Sequence, residues 1–371
     1  MPSLVSPYAE KAPQLLTGSL RHKWSATITT PAGTTNLAIE SGSITFDESW
    51  SPHMQGKIRT VTGTNAELMD PRGNALVEVQ AGYIYPGGEK DIHALASGVL
   101  TERPFDRATG TLNLAFESGE TKALDSRFVG GGTIVPPWAG VKEFIEWCIR
   151  YADPGATIVW ADWVGQYYRP DLVADANISP ARNMWEIIED AALRIGMWVR
   201  ADAAGNWIIS KKASVYGQPA HIITNGLNGT VEEMTETLTR RDWYQEVCLA
   251  YVWKDKASGE EITAFGMTRR GYPTTPLTDG AGRKVYFEQR PGPIPNQTAA
   301  NYAAYIMLRN LNTRGARYEI TAHSAYWLRP GMTVTVSPDG LTQTREIVQS
   351  VTFNTDGFMT LTTRRPLETE D

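Results

Sequence analysis

The stretch that decides the fold is LRPGMTVTVSPDG at residues 328–340, followed by EIVQSVTFNTDGFMTLT at residues 346–362. Val334 and Val336 alternate with threonines, and a Ser-Pro-Asp-Gly turn separates the first run from the second. Alternation with period two, broken by turns of Pro, Asp and Gly, is typical of antiparallel strands. The stretch therefore predicts a small antiparallel barrel, preceded by a helix at 296–312. It contains no nucleophile, ligand cluster or phosphate loop, which favours a scaffold.

The composition describes a globular chain of about two to four domains. Of its 371 residues, 42% are hydrophobic and 20% are charged, and the formal net charge is −6. Nucleic-acid-binding chains usually carry a basic domain or stripe, so we expect no stable nucleic-acid binding. The two cysteines, Cys148 and Cys248, lie in apolar runs and are interpreted as buried small hydrophobes. The sequence leaves a disulfide between them open.

The distribution of apolar residues predicts neither a signal peptide nor a membrane-spanning helix. Residues 1–7 contain no basic segment followed by an apolar run. No run approaches the roughly 18 apolar residues of a membrane-spanning helix. We therefore expect a chain without a membrane anchor, made and folded in a cytoplasm.

Strand patterns occupy two regions, and helical patterns lie between them. After an N-terminal arm at 1–20, short runs at roughly ten-residue spacing predict a first β-barrel domain at 21–130. Helical spacing and a hairpin predict an α/β helix-hairpin domain at 135–215. Asn183 is the predicted N-cap of its second helix. In the later strand region, the runs at 227–239 and 246–253 look like a strand pair.

The chain lacks the usual patterns of catalytic, cofactor and metal sites. Its five histidines are scattered, it contains no Cys-x-x-Cys pair, and no glycine run matches a phosphate-binding loop. Ser49 and His53 are close in sequence, but a catalytic triad depends on geometry. We therefore predict no catalytic residue, no cofactor and no metal, and expect that the protein is not an enzyme.

The aromatic residues are the remaining candidates for a binding site. Trp160, Trp163, Tyr167 and Tyr168 lie close together in a short segment with polar flanks. Such side chains stack on sugars, and Trp and Tyr are also the favoured anchors of protein–protein interfaces. The segment is therefore interpreted as an interface or packing cluster, with carbohydrate recognition as the alternative.

Three segments, taken in order, resemble the hub proteins of bacteriophage tail tips and baseplates. The first is Gly42–Asp47, in the first strand region. The second is Asn183–Ala192, which leads into the hairpin at 202–207. The third begins with the helix around Tyr305 and continues through the Pro-Gly phrase of 329–334 to the closing strand. The resemblance depends on the order and spacing of these three segments, and it covers nearly the whole chain.

The resemblance implies a mainly β fold with α+β modules, in which two antiparallel β-barrel domains accompany the small helix-hairpin domain. The second barrel would be split between 216–255 and 315–371. An inserted domain at 256–314, containing the helix 296–312, would separate the two parts. Much of that insert, 256–295, is rich in Gly and Pro and is expected to be irregular. Its part at 265–295 and the N-terminal arm are expected to order only on assembly.

The resemblance also implies a function. It predicts a non-enzymatic homotrimer at the virion tail tip, assembled in the host bacterial cytoplasm. Its partners would be the distal tail ring protein, the C-terminus of the tape measure protein and the central fibre or spike protein. The alternatives are a carbohydrate-binding or cell-wall-degrading tail protein that uses 160–168, and a six-fold distal tail ring protein. The predicted helix-hairpin domain argues against the ring protein.

Overall fold

The computed structural model describes residues 6–16, 20–61, 69–129, 138–161, 173, 178, 181–213, 215–226, 229–238, 244–254, 258–269, 284–291, 294, 296–312 and 316–365. The strands are, in chain order, β1 Arg21–Thr30, β2 Gly33–Leu37, β3 Ile39–Asp47, β4 Met54–Val61, β5 Leu76–Ile84, β6 Lys90–Glu102, β7 Phe105–Asp106, β8 Thr111–Glu117, β9 Ile158–Trp160, β10 Trp198–Ala201, β11 Trp207–Ser210, β12 Pro219–Thr224, β13 Val231–Leu238, β14 Glu246–Lys254, β15 Glu261–Arg269, β16 Val285–Pro291, β17 Ala316–His323, β18 Thr333–Ser337, β19 Thr344–Asn354 and β20 Phe358–Arg364. The helices are α1 Ala12–Leu15, α2 Glu120–Asp125, α3 Val141–Ala152, α4 Met184–Arg194 and α5 Gln297–Asn312.

Most strands belong to one large, mainly antiparallel sheet of 14 strands. Its neighbouring strands run in the order β13-β17-β20-β19-β3-β4-β8-β6-β5-β1-β2, and β12, β18 and β7 pair beside this path. The fold is therefore mainly β, as the sequence predicts. Within the described residues this path of strand pairing is open at both ends, so the layout of two separate closed barrels stays a prediction.

The two strand regions meet at β3 and β19, which pair antiparallel. Phe46 pairs with Val351 and Ile44 with Phe353, and all four side chains are buried. The period-two alternation in both strands turns these side chains to one face and the threonines between them to the other. One core cluster consequently extends through both halves of the sheet.

The segment Leu328–Gly331 contacts both strands where β3 pairs with β19. Gly331 has a φ of +88°, in the left-handed region that favours glycine, and its N–H donates to the carbonyl of Val348 at 2.8 Å. The guanidinium of Arg329 lies 4.6 Å from the ring centre of Phe46 and donates to the carbonyl of Tyr326 at 2.7 Å. Burial lowers the pKa of Arg329 to about 10. The strand predicted after this segment forms as β18, and the Ser-Pro-Asp-Gly turn that ends it forms at 337–340.

The N-terminal arm is packed in its described part, which corrects the expectation that it orders only on assembly. Tyr8 is buried, its hydroxyl donates to the carbonyl of Ala81 at 2.8 Å, and its ring centre lies 5.4 Å from that of Tyr83. Ala12 and Leu16 are also buried. The prolines suggested an extended segment, but apolar side chains at 8, 12 and 16 gain more by covering the core.

The helices and the hairpin predicted between the two strand regions form as α3, α4 and the pair β10-β11. The side chain of Asn183 accepts a hydrogen bond from the N–H of Glu186 at 2.8 Å, which caps α4. Asp202 accepts from the N–H groups of Ala204 and Asn206 in the turn between β10 and β11. Helices α2, α3 and α4 share a buried cluster with the sheet β10-β11-β9.

The third sheet, β15-β14-β16, corrects two expectations. Strand β14 pairs with β15 and β16, whereas β13 pairs with β17, so the predicted pairing of 227–239 with 246–253 is wrong. The segment 256–295, expected to be irregular, contributes the regular strands β15 and β16. Helix α5 covers one face of this sheet, as the cluster of Leu249, Tyr251 and Ala303 shows. On that face Val247, Leu249 and Tyr251 of β14 are buried against α5.

Candidate functional site

The predicted aromatic segment lies only partly within the described residues. Trp160 ends β9 and is half-buried, and its indole N–H donates to Oε1 of Glu146 on α3 at 3.0 Å. Trp163, Tyr167 and Tyr168 lie outside the described residues, so a sugar-stacking or interface role for them stays a prediction. Because the polar edge of Trp160 is engaged by α3, this residue acts as a packing element of the helix region.

A second aromatic group, which the sequence analysis missed, lies beside α3, and three of its four members pack against the buried cluster of the helices. Trp147 and Tyr151 are one helical turn apart, and their rings stack with centres 5.3 Å apart. Trp138 lies 5.4 Å from Trp147, and Phe128 lies 5.8 Å from Tyr151. We call these four residues the aromatic row. Tyr151 is 37% exposed and the neighbouring Val129 is 87% exposed, so the row reaches the surface.

A larger apolar surface lies on the sheet β15-β14-β16, on the face away from α5. Cys248 in the central strand pairs in register with Met267 on one side and Phe287 on the other, so the three side chains share a face. Phe265 and Val285 lie two residues away on the same face. Met267 and Phe287 are 62% exposed, and Phe265 and Val285 are 46% exposed. We call these four exposed residues the bare sheet face, because the described part of the chain leaves them uncovered.

A cavity of about 450 Å³ lies between the large sheet, the helix-hairpin region, strand β16 and helix α5. Its lining includes Glu48 after β3, Trp198 of β10, Arg290 of β16 and Arg364 of β20. The two carboxylate oxygens of Glu48 accept from Arg364 at 2.5 and 2.9 Å, and Arg364 also donates to the carbonyl of Ala213 at 2.9 Å. The cavity is thus bordered by a buried ion pair with two hydrogen bonds. This pair joins the first strand region to the last strand, β20.

A second buried pair ties the first strand region to the helix region. Nδ1 of His53 is hydrogen-bonded to Oε1 of Glu120, and the N–H of Ala201 donates to the same oxygen at 2.9 Å. Burial raises the pKa of Glu120, but the interaction with His53 and the hydrogen bonds from His53, Ser118 and Ala201 together lower it, so the net shift is downward. The hydroxyl of Ser49 donates to Asp47 at 2.5 Å. Ser49 and His53 therefore have different partners, and no nucleophile–base pair forms between them.

The remaining titratable and metal-ligating residues serve packing. Within the described ranges, no group of three or more His, Cys, Asp or Glu side chains is placed to hold a metal ion. Both cysteines are free thiols, and burial raises the pKa of Cys148. No helix in the described part of the chain is long and apolar enough to span a bilayer. The surfaces that stand out are apolar, which is the chemistry of assembly contacts.

Comparison with solved structures gives the fold a context. The chain superposes on the tail protein from Neisseria meningitidis MC58 with a TM-score of 0.65 and 13% identity, over 92% of this chain and 96% of that one. It superposes on the 43 kDa tail protein of prophage MuSo2 from Shewanella oneidensis with a TM-score of 0.61 and 11% identity, over 92% and 98%. Both similarities therefore extend over nearly the whole chain.

A third similarity is to a larger assembly. The Francisella PdpA-VgrG complex, in its lidded form, matches with a TM-score of 0.55 and 8% identity, over 95% of this chain and 54% of that one. No protein-family model matches the sequence, and no curated protein matches it. At these identities the matches show a shared fold, and the chain has the fold of phage tail proteins.

Proposed function

We propose that this protein is a structural component of a phage tail, and that it acts as the trimeric hub at the tail tip. The observation that carries the proposal is the similarity to the Neisseria tail protein over 92% of the chain. The free thiols, the buried ion pairs that join parts of the fold and the exposed apolar sheet face fit a protein that works through contacts. On this proposal it joins the distal tail ring protein to the central fibre or spike protein, around the channel that holds the C-terminus of the tape measure protein.

The layout of the large sheet supports three copies in a ring. The first half contains seven consecutively paired strands, β3-β4-β8-β6-β5-β1-β2, with β7 beside β8, and the second half contains six, β12-β18-β19-β20-β17-β13. Strands β12 and β13 are also joined where the N–H of Thr230 donates to the carbonyl of Thr224 at 3.1 Å. Two similar halves per chain would give three chains six barrel-like units, which matches the symmetry of a six-fold tube. We therefore retain the two-barrel division, with β14 moved from the second barrel to the insert.

The proposed ring is physically reasonable for this chain. A head-to-tail contact that closes after three copies uses two different patches on each copy. The net charge of −6 keeps the unassembled chain soluble and disfavours non-specific association. Assembly in the host cytoplasm and a final place in the virion tail tip are part of this proposal.

The test is the molar mass of the purified protein by light scattering coupled to size exclusion. Three times the chain mass of 41.0 kDa is expected at the concentration where the ring is stable. A stable six-copy ring would instead favour the six-fold distal tail ring protein. A monomer that gains thermal stability from cell-wall oligosaccharides would favour the carbohydrate-binding alternative.

A further inference from the structure

We propose that residues 366–371 of this chain bind in the cavity between the large sheet, the helix-hairpin region, β16 and α5. These six residues lie outside the described ranges, which end at Arg365, and their sequence is Pro-Leu-Glu-Thr-Glu-Asp. The segment therefore carries three carboxylates and no cation. The inference goes beyond the proposed hub and does not depend on it, because the contact forms within one chain.

The segment begins at the cavity and is long enough to enter it. Arg364, two positions before residue 366, lines the cavity and is fixed there by Glu48 and by the carbonyl of Ala213. An extended chain spans about 3.3–3.6 Å per residue, so six residues reach roughly 20 Å. This reach exceeds the width of a compact cavity of about 450 Å³.

The charges around the cavity favour an acidic segment. Among the described residues, its lining has four cationic side chains and three carboxylates, namely Lys211, Lys212, Arg290 and Arg364, and Glu48, Glu189 and Glu288. Glu48 is paired with Arg364, and Glu288 lies 2.9 Å from Arg290. We call Lys211 and Lys212 the lysine pair. The lining thus has a positive balance, whereas the whole chain has a formal net charge of −6.

The position of the lysine pair suits carboxylates that enter from β20. Nζ of Lys212 donates to the carbonyl of Glu48 at 3.0 Å and lies 5.5 Å from the ring centre of Trp198. This cation is therefore held between the ion pair of Glu48 and an aromatic wall. In a partly enclosed site, opposite charges attract more strongly than they do in bulk water. The carboxylates of Glu368 and Glu370 accordingly bind beside the lysine pair.

Helix α5 offers an apolar wall for the one aliphatic side chain of the segment, Leu367. The apolar residues that α5 contributes to the lining are Ile306, Met307 and Leu311. All three are half-buried, so an added side chain removes further apolar surface from water. Sites of this size between parts of a fold commonly combine apolar walls with a few polar groups. The bound segment thereby joins β20 to α5 and to the helix-hairpin region.

The first experiment is zero-length cross-linking of the purified chain with a carbodiimide, followed by mass spectrometry of the peptides. Cross-links should join Glu368 or Glu370 to the lysine pair. Lys57 is the internal control, because it is exposed in β4 and is not part of the cavity lining. The yield at the lysine pair should fall in about 1 M salt, where the Debye length is about 3 Å. A yield at the lysine pair no higher than at Lys57 would overturn the inference.

Acetylation of the lysine pair gives a second readout, in full-length variants at low salt. Glu368→Gln/Glu370→Gln should raise the acetylation rate of the pair by roughly threefold or more, as expected if about two thirds or more of the tethered segments are bound. The matched control is Glu232→Gln/Glu233→Gln, because these carboxylates are exposed in β13 and lie outside the cavity lining. It should acetylate like the unaltered chain. Equal rates in all three proteins would contradict the proposed contact.

Dilution separates a contact within one chain from a contact between copies. Cross-linking at the lysine pair should be independent of protein concentration. A yield that falls on dilution would mean that the segment comes from a second copy, which overturns the inference as stated.

The outcomes also separate this inference from the proposed function. Glu368→Gln/Glu370→Gln should keep the molar mass of the unaltered chain. If that mass is not three chains but the cross-links form, the hub proposal fails and the cavity contact stands. A trimer without these cross-links has the opposite meaning.

Discussion

The ion pair between Glu48 and Arg364 should be the strongest single polar contributor to the stability of the folded chain. The side chains are 4% and 2% exposed, and the guanidinium donates two hydrogen bonds to the carboxylate and one to the carbonyl of Ala213. Arg364→Met removes all three and leaves the Glu48 carboxylate buried without a cation at these positions. Removing one partner of a buried pair costs about 3–5 kcal/mol. We expect the free energy of unfolding to fall by that amount.

The assay is urea unfolding followed by both tryptophan fluorescence and circular dichroism, so that coincident curves verify a single transition. The matched control is Arg317→Met, because Arg317 lies 3.1 Å from Glu319 in a pair exposed by 37% and 48%. Such a surface pair contributes at most about 1 kcal/mol. The double variant Glu48→Met/Arg364→Met should recover at least about half of the loss, since an apolar pair leaves no buried charge. Equal losses for Arg364→Met and Arg317→Met would refute the reasoning.

Three further changes test the fold. Burial lowers the pKa of His221 to about 4. As the pH falls, the unfolded chain therefore protonates His221 before the folded chain does. The free energy of unfolding consequently falls between about pH 6.5 and about pH 4. His221→Phe should remove up to about 1.4 kcal/mol per pH unit from this slope in urea titrations, and an unchanged slope would contradict the assignment. Asn183→Ala should cost about 1 kcal/mol by loss of the α4 cap, whereas Asn183→Ser should cost far less, and equal losses would argue against capping. A Cβ on Gly266 would lie 2.1 Å from the carbonyl oxygen of Ala300, so Gly266→Ala should lower the thermal midpoint well below that of Gly155→Ala, which has open space.

Local patterns of the sequence were sufficient for elements whose stability is local. The cap at Asn183 and the turn at 337–340 depend on residues within a few positions, and both form as predicted. The long helix also lies where predicted, from Gln297 to Asn312. These features depend on side-chain periodicity and turn chemistry, which a single sequence displays directly.

Contacts between residues that are far apart in the sequence could not be predicted from such local patterns. Glu48 and Arg364 are 316 positions apart, and neither residue differs locally from a solvated charge. Strand β14 looked like a partner of β13, but it pairs with β15 and β16 and is covered by α5. The aromatic row did carry a signal, since Trp147 and Tyr151 have i, i+4 spacing on a helix and lie beside the face that buries Phe144 and Cys148. The bare sheet face has a weaker signal, because alternate apolar residues in β15 also fit a strand that is buried on both sides.

The most direct test of the central claim is electron microscopy of the purified, assembled protein, viewed along its axis. The account predicts a ring of three copies with six similar lobes around an open channel, each lobe formed by one half of the large sheet. Two-fold particles, or rings in which each copy forms a single lobe, would contradict the account.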